Sequence, residues 1–426
     1  MSVPSRLSYA RSRGLIAAAL ALTVTAACTS GGGAQWQPAG AASGAGGAGG
    51  AAATSPTRAP GEFTIAPAAT ATDVAVLDPV TVTAKDASLQ TVTVAGPDGK
   101  QVAGEWDAGR TSWHTSAPLE YGKQYTVTAT GTDSARQPLT RTSTFTTMKP
   151  QALALPYLRA NGGLLLKDRS TFGVGQPIVV WFDRRIPDKA AAQRLLEVTT
   201  TPQVEGAWRW ISAQEVHYRP AEYWRPGTAI TVKAKVFGKD LGGGTYGQSN
   251  VSASFKIGPS RIAIADANTK RMQVFLDGQM IRDIPVSLGK GGTTTTSRGQ
   301  KINYWTNSGP HVVLAKTPTT HMTSSSYGVT DPKHPDFYEK TVKLTVRISN
   351  SGEFLHLADW NVPAHGRTNT SHGCINIGPA HAQWVYDNFV PGDVVDVKNT
   401  PVKLALTNGL GDWTMSWEEW KKGSAL

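Results

Sequence analysis

Between residues 62 and 148 the chain alternates polar and apolar side chains with period two, as in Thr91-Val92-Thr93-Val94 and Tyr125-Thr126-Val127-Thr128-Ala129. Successive side chains of a strand point to opposite faces, so such runs suit half-buried strands and do not make one face of a helix. Turn clusters such as Gly96-Pro97-Asp98-Gly99 separate them, which is the pattern of a β-sandwich. Residues 150–258 repeat the plan loosely. Trp106, His114, Pro118, Tyr121, Gly122 and Tyr125-Thr126-Val127 return in order as Trp210, His217, Pro220, Tyr223, Gly227 and Ile230-Thr231-Val232. Two consecutive immunoglobulin-like domains are expected, at 62–149 and 150–258, with their aromatics in cores and domain contacts.

A third region, 259–398, is again β-rich, with strand-like runs at Arg261 to Asp266 and Met272 to Val286 and a turn at Asp277-Gly278. Its one clear helix starts at Pro379, presents Ala382, Trp384, Val385 and Phe389 on an apolar face, and ends at Pro391-Gly392. In the tail, 399–426, Ser416 and Glu419 stand at capping-box spacing beside Trp417 and Trp420, and Gly423 follows. A short helix that docks back together with Trp413 is expected. The expected fold class is mainly β: two immunoglobulin-like β-sandwiches, a β-rich catalytic domain and a short C-terminal helical tail.

The N-terminus has Arg6, Arg11 and Arg13, an apolar run from Leu15 to Ala27, then Cys28, with no acidic residue before it. The run of about 13 residues is shorter than the roughly 20 of a membrane-spanning helix, so residues 1–27 read as an export signal. Ala26-Ala27-Cys28 resembles a bacterial lipobox, although Thr25 stands where an aliphatic residue is usual. That resemblance implies lipidation of Cys28 and anchoring on the outer face of the cell membrane. Residues 28–61 are rich in Gly and Ala and are expected to act as a tether of roughly 30 Å r.m.s. span, long enough to lift the folded part towards the cell wall. The formal charge of +11 suits anionic wall polymers. Nucleic acid is disfavoured as a partner by the export signal and by the lack of a Lys/Arg run. Only two cysteines are present, so no disulfide framework exists and Cys374 is a lone thiol that needs a reason.

That reason lies in Phe354-Leu355-His356 and Ser371-His372-Gly373-Cys374-Ile375-Asn376. A thiolate attacks carbonyls well, and an imidazole can take its proton and later hand one to an amine. His356 and His372 are the candidate bases. Gly373 lets a carbonyl approach the backbone, where N–H groups could stabilise an oxyanion. The residues alone point to cysteine acyl transfer.

The pattern H-x14-S-H-G-C-I-N, from His356 through Asn376, resembles the signature of L,D-transpeptidase (YkuD-type) catalytic domains. The likeness covers about residues 260–398. The two sandwiches and the Gly409-Leu410-Gly411-Asp412-Trp413 tail look like the multidomain actinobacterial members. The resemblance implies Cys374 as nucleophile, His356 as general base, and the backbone carbonyl of Leu357, where relatives often have Ser, as the group that orients the imidazole. It implies N–H groups around His372, Gly373 and Cys374 as oxyanion donors, and Met322, Tyr338, Ser351, Gly352, Ser371 and Asn376 as substrate contacts. Thr296-Ser297-Arg298-Gly299 stands where the family often has Thr-Pro-x-Gly. The implied reaction joins peptidoglycan stem peptides by a 3→3 cross-link through a Cys374 thioester, without a metal or organic cofactor, and carbapenem-type inhibitors should acylate the same thiol.

Three other readings compete. The same thioester could serve an L,D-carboxypeptidase or the attachment of wall proteins. His356, His365, His372, Cys374 and His381 lie close in sequence, but their irregular spacing lacks C-x2-C or H-E-x-x-H and is a weak zinc signal. A non-catalytic wall-binding lipoprotein would leave Cys374 incidental. His114, His217, His365 and His381 receive no catalytic role.

Overall fold

The computed structural model describes residues 61–426 apart from Gly162 and Ser297. The export segment, Cys28 and nearly all of the tether lie outside the described residues.

The alternating runs form strands whose burial follows the alternation. In Gln124–Asp133, Tyr125, Val127 and Ala129 are buried while Gln124 and Thr126 are exposed. A four-stranded sheet (Glu62–Ala66, Thr81–Lys85, Ser112–Thr115, Gly104–Trp106) faces a three-stranded one (Ala87–Ala95, Gln124–Asp133, Pro138–Thr146). Phe63, Val82, Trp113, Val127 and Phe145 fill the space between. A second pair of four-stranded sheets follows. One orders Ser170–Phe172, Val251–Ile257, Ala229–Ala234 and Leu196–Thr201; the other orders Gly206–Trp210, Glu215–Pro220, Ile178–Phe182 and Pro156–Arg159. Its core holds Phe182, Trp208, Trp224, Val232 and Phe255.

The remaining part is built on a nine-stranded sheet, with the strand Phe354–Leu357 between Ile375–Ile377 and Glu339–Arg347. The helix Pro379–Asn388 has Pro379 in its first turn and buries Ala382 and Val385 against this sheet. The second sandwich meets this domain through Gly173, whose N–H donates to Pro391 O at 2.9 Å. A Cβ on Gly173 would lie 2.1 Å from Asp393 N, so only glycine allows the approach.

The tail ties the two together. Leu410 packs among Val179 of the sandwich and Val312 and Leu314 of the large sheet. Trp413 Nε1 donates to Gly175 O at 2.7 Å. Ser416 caps the helix Trp417–Lys421 by accepting from Glu419 N, and the buried Trp420 donates to Ala207 O. Trp413, Trp417 and Trp420 surround the guanidinium of buried Arg219 at 4.7, 5.6 and 4.5 Å.

Beneath them buried His217 sits between Asp412, 2.7 Å from Nδ1, and Glu215, 2.9 Å from Nε2. Burial opposes the charged imidazolium, but the two carboxylates overcome it and raise its pKa to about 9. A folded-state pKa above the unfolded one means that the stabilisation is complete below pH 6.5 and is lost as pH rises through about 9. Asp412→Ala should cost about 3 kcal/mol near neutral pH, because it strands a buried charge with half its partners. Urea unfolding at pH 6, 8 and 10 checks this: the wild type should weaken at each step and the variant should change less.

Candidate active site

The strand Phe354–Leu357 runs parallel to Ile375–Ile377, with Leu355 opposite Ile375 and His356 opposite Asn376. Alternation along each strand puts His356 and Asn376 on one face, and Cys374, two residues before Asn376, on that same face at the mouth of its strand. Strand pairing, rather than their loop, thus sets Cys374 and His356 on one face.

His356 is buried, and its Nδ1–H donates to Leu357 O at 2.9 Å. That fixes the ring and leaves the Nε2 lone pair free to take a proton. Trp360 stacks on the imidazole at 5.8 Å and 19°, and Lys340 Nζ lies 3.5 Å over the indole. Burial lowers the pKa of His356 to about 4; the Leu357 carbonyl opposes this, and His365 and Lys340 reinforce it. The residue is therefore neutral at physiological pH and competent as a base.

Cys374 is half-buried, and its thiol donates to Gly352 O at 3.7 Å. Burial pushes the thiol up to about 12, the backbone of Phe354 opposes this, and the charge of Glu353 adds to it. Glu353 is held in place by Asn307, whose backbone N–H donates to it at 2.6 Å. At rest the thiol and the imidazole are both neutral, so the nucleophile must be generated as it attacks.

The segment before Cys374 is locked internally. Ser371 Oγ donates to Cys374 O at 2.6 Å and accepts the Gly373 N–H at 3.1 Å. Gly373 has φ of +129°, which favours glycine. Expected as an oxyanion donor, the Gly373 N–H is instead committed to Ser371, because the turn folds back on its own hydroxyl; the N–H groups of His372 and Cys374 are left for that task. Ser371 itself, expected to touch substrate, spends its hydroxyl on this turn. Ser371→Ala should cost about 1–3 kcal/mol of stability and slow acylation of the thiol, read by thermal melts and adduct formation.

His372, the other candidate base, has its ring packed against two tyrosines. Its ring meets Tyr304 edge-on at 4.7 Å and Tyr338 at 5.0 Å. Its Nε2 lies 3.5 Å from Lys290 Nζ and 3.7 Å from Asp336. Burial and the Lys290 charge lower its pKa, with Asp336 opposing. Lys290 also pairs with Asp336 at 2.5 Å, which ties the segment carrying Asp336 and Tyr338 to the one around Lys290. Burial pushes the Tyr338 phenol up to about 12, and the nearby Cys374 adds to that. Met322 is half-buried on the strand Ala315–Thr323, opposite Lys340. Ser351 and Gly352 form the turn above Cys374, with the Ser351 hydroxyl bonded to Ser349 and Asn408 rather than free. Asn376 is buried beneath the site. Among the described residues no three His, Cys, Asp or Glu side chains converge to hold a metal ion.

Sequence reasoning missed Trp360, Lys340, Glu353, Lys290, Asp336 and Tyr304. They come from separate strands and loops without a shared spacing. Trp360 alone left a signal, an aromatic four residues after His356.

A bacterial Ig domain model matches residues 71–240, and an L,D-transpeptidase catalytic domain model matches residues 260–397. The chain is 40% identical to L,D-transpeptidase 2 of Mycobacterium tuberculosis over 82% of its length and 81% of the relative's. It is 34% identical to L,D-transpeptidase 5 of the same organism, over 85% of this chain and 77% of that one. A solved structure of L,D-transpeptidase 3 from Mycobacterium tuberculosis in complex with a faropenem-derived adduct is 29% identical, covers 56% of this chain and 98% of that one, and superposes with a TM-score of 0.43.

Proposed function

The chain belongs to the L,D-transpeptidase family and is a peptidoglycan acyltransferase, and from that premise we propose that it joins the third residues of two stem peptides through a Cys374 thioester. The observation that carries this reading is the Nδ1–H of His356 fixed on Leu357 O, on the strand beside the one that Cys374 leads into.

In the first half-reaction, Sγ of Cys374 bonds to the carbonyl carbon of the donor's diamino acid while Nε2 of His356 takes the thiol proton. The oxyanion forms against the N–H groups of His372 and Cys374. Its collapse breaks the amide bond, and His356 returns the proton to the departing D-Ala amine. In the second, the side-chain amine of another stem attacks the thioester and gives a proton to His356. The C–S bond then breaks and the thiol is restored. No step draws on a redox partner. Water in place of the acceptor amine would make the same enzyme a carboxypeptidase. A carbapenem-type β-lactam carries a strained amide that the same thiol can open.

Lipidation at Cys28 and a Gly/Ala tether would hold this catalytic end outside the membrane and within reach of the wall, with the sandwiches as spacers. Incubating the protein with a disaccharide-tetrapeptide and resolving the products by mass tests the reading. A cross-linked dimer with released D-Ala supports transpeptidation; tripeptide without dimer moves the function to hydrolysis.

A further inference from the structure

The turn Ser349–Glu353 supplies the carbonyl that receives the Cys374 thiol. Arg347 of the catalytic sheet donates to Ser349 O at 2.8 Å and to Asn350 O at 2.9 Å, and a second hold on the turn comes from outside that sheet. Asn408, in the tail, uses both ends of its amide on Ser351. Its Oδ1 accepts the Ser351 N–H at 2.8 Å, and its Nδ2 donates to Ser351 Oγ at 2.9 Å. From Ser351 the bonds continue inward: Ser351 Oγ meets Ser349 Oγ at 3.0 Å, and Ser349 Oγ accepts the Glu353 N–H at 3.0 Å. Between them stands Gly352, at φ +97°, whose carbonyl accepts the thiol. The next tail residue presses on the same turn. A Cβ on Gly409 would lie 3.4 Å from Ser349 Cα and 3.5 Å from Ile348 O.

The tail's own position is set elsewhere. Leu410 is wedged between the second sandwich and the large sheet, and Asp412 is bound to His217 of that sandwich. A rigid anchor on one side and two hydrogen bonds on the other make Asn408 a fixed stop for the turn. Nothing about docking a tail requires that both amide ends be spent on one residue beside the nucleophile.

We propose that Asn408 is a positioning residue for the acyl transfer, acting through the Ser351–Gly352 turn on the Cys374 thiol. The proposal rests on Cys374 being the nucleophile. Asn408 touches neither substrate nor thiol; it sets where the Gly352 carbonyl stands, and so which way Sγ points when a donor carbonyl arrives. Misplacing a reacting atom lowers the rate of the chemical step more than it weakens binding.

The test compares Asn408→Ala and Asn408→Asp with the wild type in the full chain, by steady-state kinetics on a disaccharide-tetrapeptide and by melting temperature. Asn408→Ala should lower kcat about tenfold, with the donor KM changed less than about twofold and the melting temperature nearly unmoved. Asn408→Asp keeps the acceptor for the Ser351 N–H and should recover kcat to within about threefold of the wild type. An alanine variant with wild-type kcat overturns the proposal. So does a loss that follows the melting temperature, or one that the aspartate does not relieve. A wild-type chain that forms no adduct and no product would instead remove the transpeptidase reading itself.

Discussion

Cys374→Ala is expected to abolish product formation, lowering turnover by at least about 10⁴-fold, while the chain stays folded. The whole reaction passes through a covalent bond to Sγ, and no other thiol exists among the described residues. The hydroxyl groups nearby are committed: Ser371 to its own turn, Ser351 to Asn408. Neither serine is therefore placed to take over as nucleophile. Because the thiol is half-buried and bonded only weakly, at 3.7 Å, its removal should cost no more than about 1–2 kcal/mol. Measuring cross-linked product beside a thermal melt separates the two effects. Product formation near the wild-type rate would place the chemistry elsewhere.

The second large effect concerns the base. His356→Ala should slow acylation of Cys374 by about 10³-fold, within the usual span for a general base. The size follows from the resting state. With the thiol pushed up to about 12, almost none of it is ionised at neutral pH, so attack depends on a group that removes the proton as the bond forms. An ion-paired thiolate would need its partner less. The same argument fixes the pH response. His356 is held down to about 4, so it remains an unprotonated base as pH falls, and the wild-type acylation rate should hold until pH approaches 5 and then decline. Stopped-flow acylation by a carbapenem from pH 4.5 to 8 reads both points, and a titration centred near 6.5 would contradict them.

Much of the architecture can be read from side-chain alternation. Tyr125, Val127 and Ala129 alternate in the sequence and are buried alternately in the strand, so the mainly β class and its immunoglobulin-like part follow from local physics. Pro379 and the apolar residues after it specify their helix in the same way. The capping pair Ser416 and Glu419 does so for the tail helix. At the site, the spacing of His356 and Cys374 could be matched to a family, but the reason the two meet is the parallel register of two short strands, which is a tertiary fact.

What stayed hidden depends on which surfaces come together. His114 and His217 occupy echoing places in the two sandwiches, yet His114 is exposed while His217 is buried between Asp412 and Glu215. The docking of the tail, which brings Asp412 onto His217, and the neighbouring Glu215 separate them. Trp360, from a short 3-10 turn, stacks on His356, and Lys340, from the strand Glu339–Arg347, lies over Trp360; no periodicity links either to His356. The Gly373 N–H shows the opposite failure. The motif supports an oxyanion donor there, and a hydrogen bond to Ser371, two residues away, removes it.

The most direct measurement is to trap the intermediate. The full chain is mixed with a disaccharide-tetrapeptide, quenched in acid within the first turnover, digested and mapped by mass. An acyl adduct equal to the donor less D-Ala is expected on the peptide that contains Cys374, and it should be discharged when an acceptor stem is added before the quench. An adduct on another residue, or cross-linked product without any covalent adduct, would contradict this expectation.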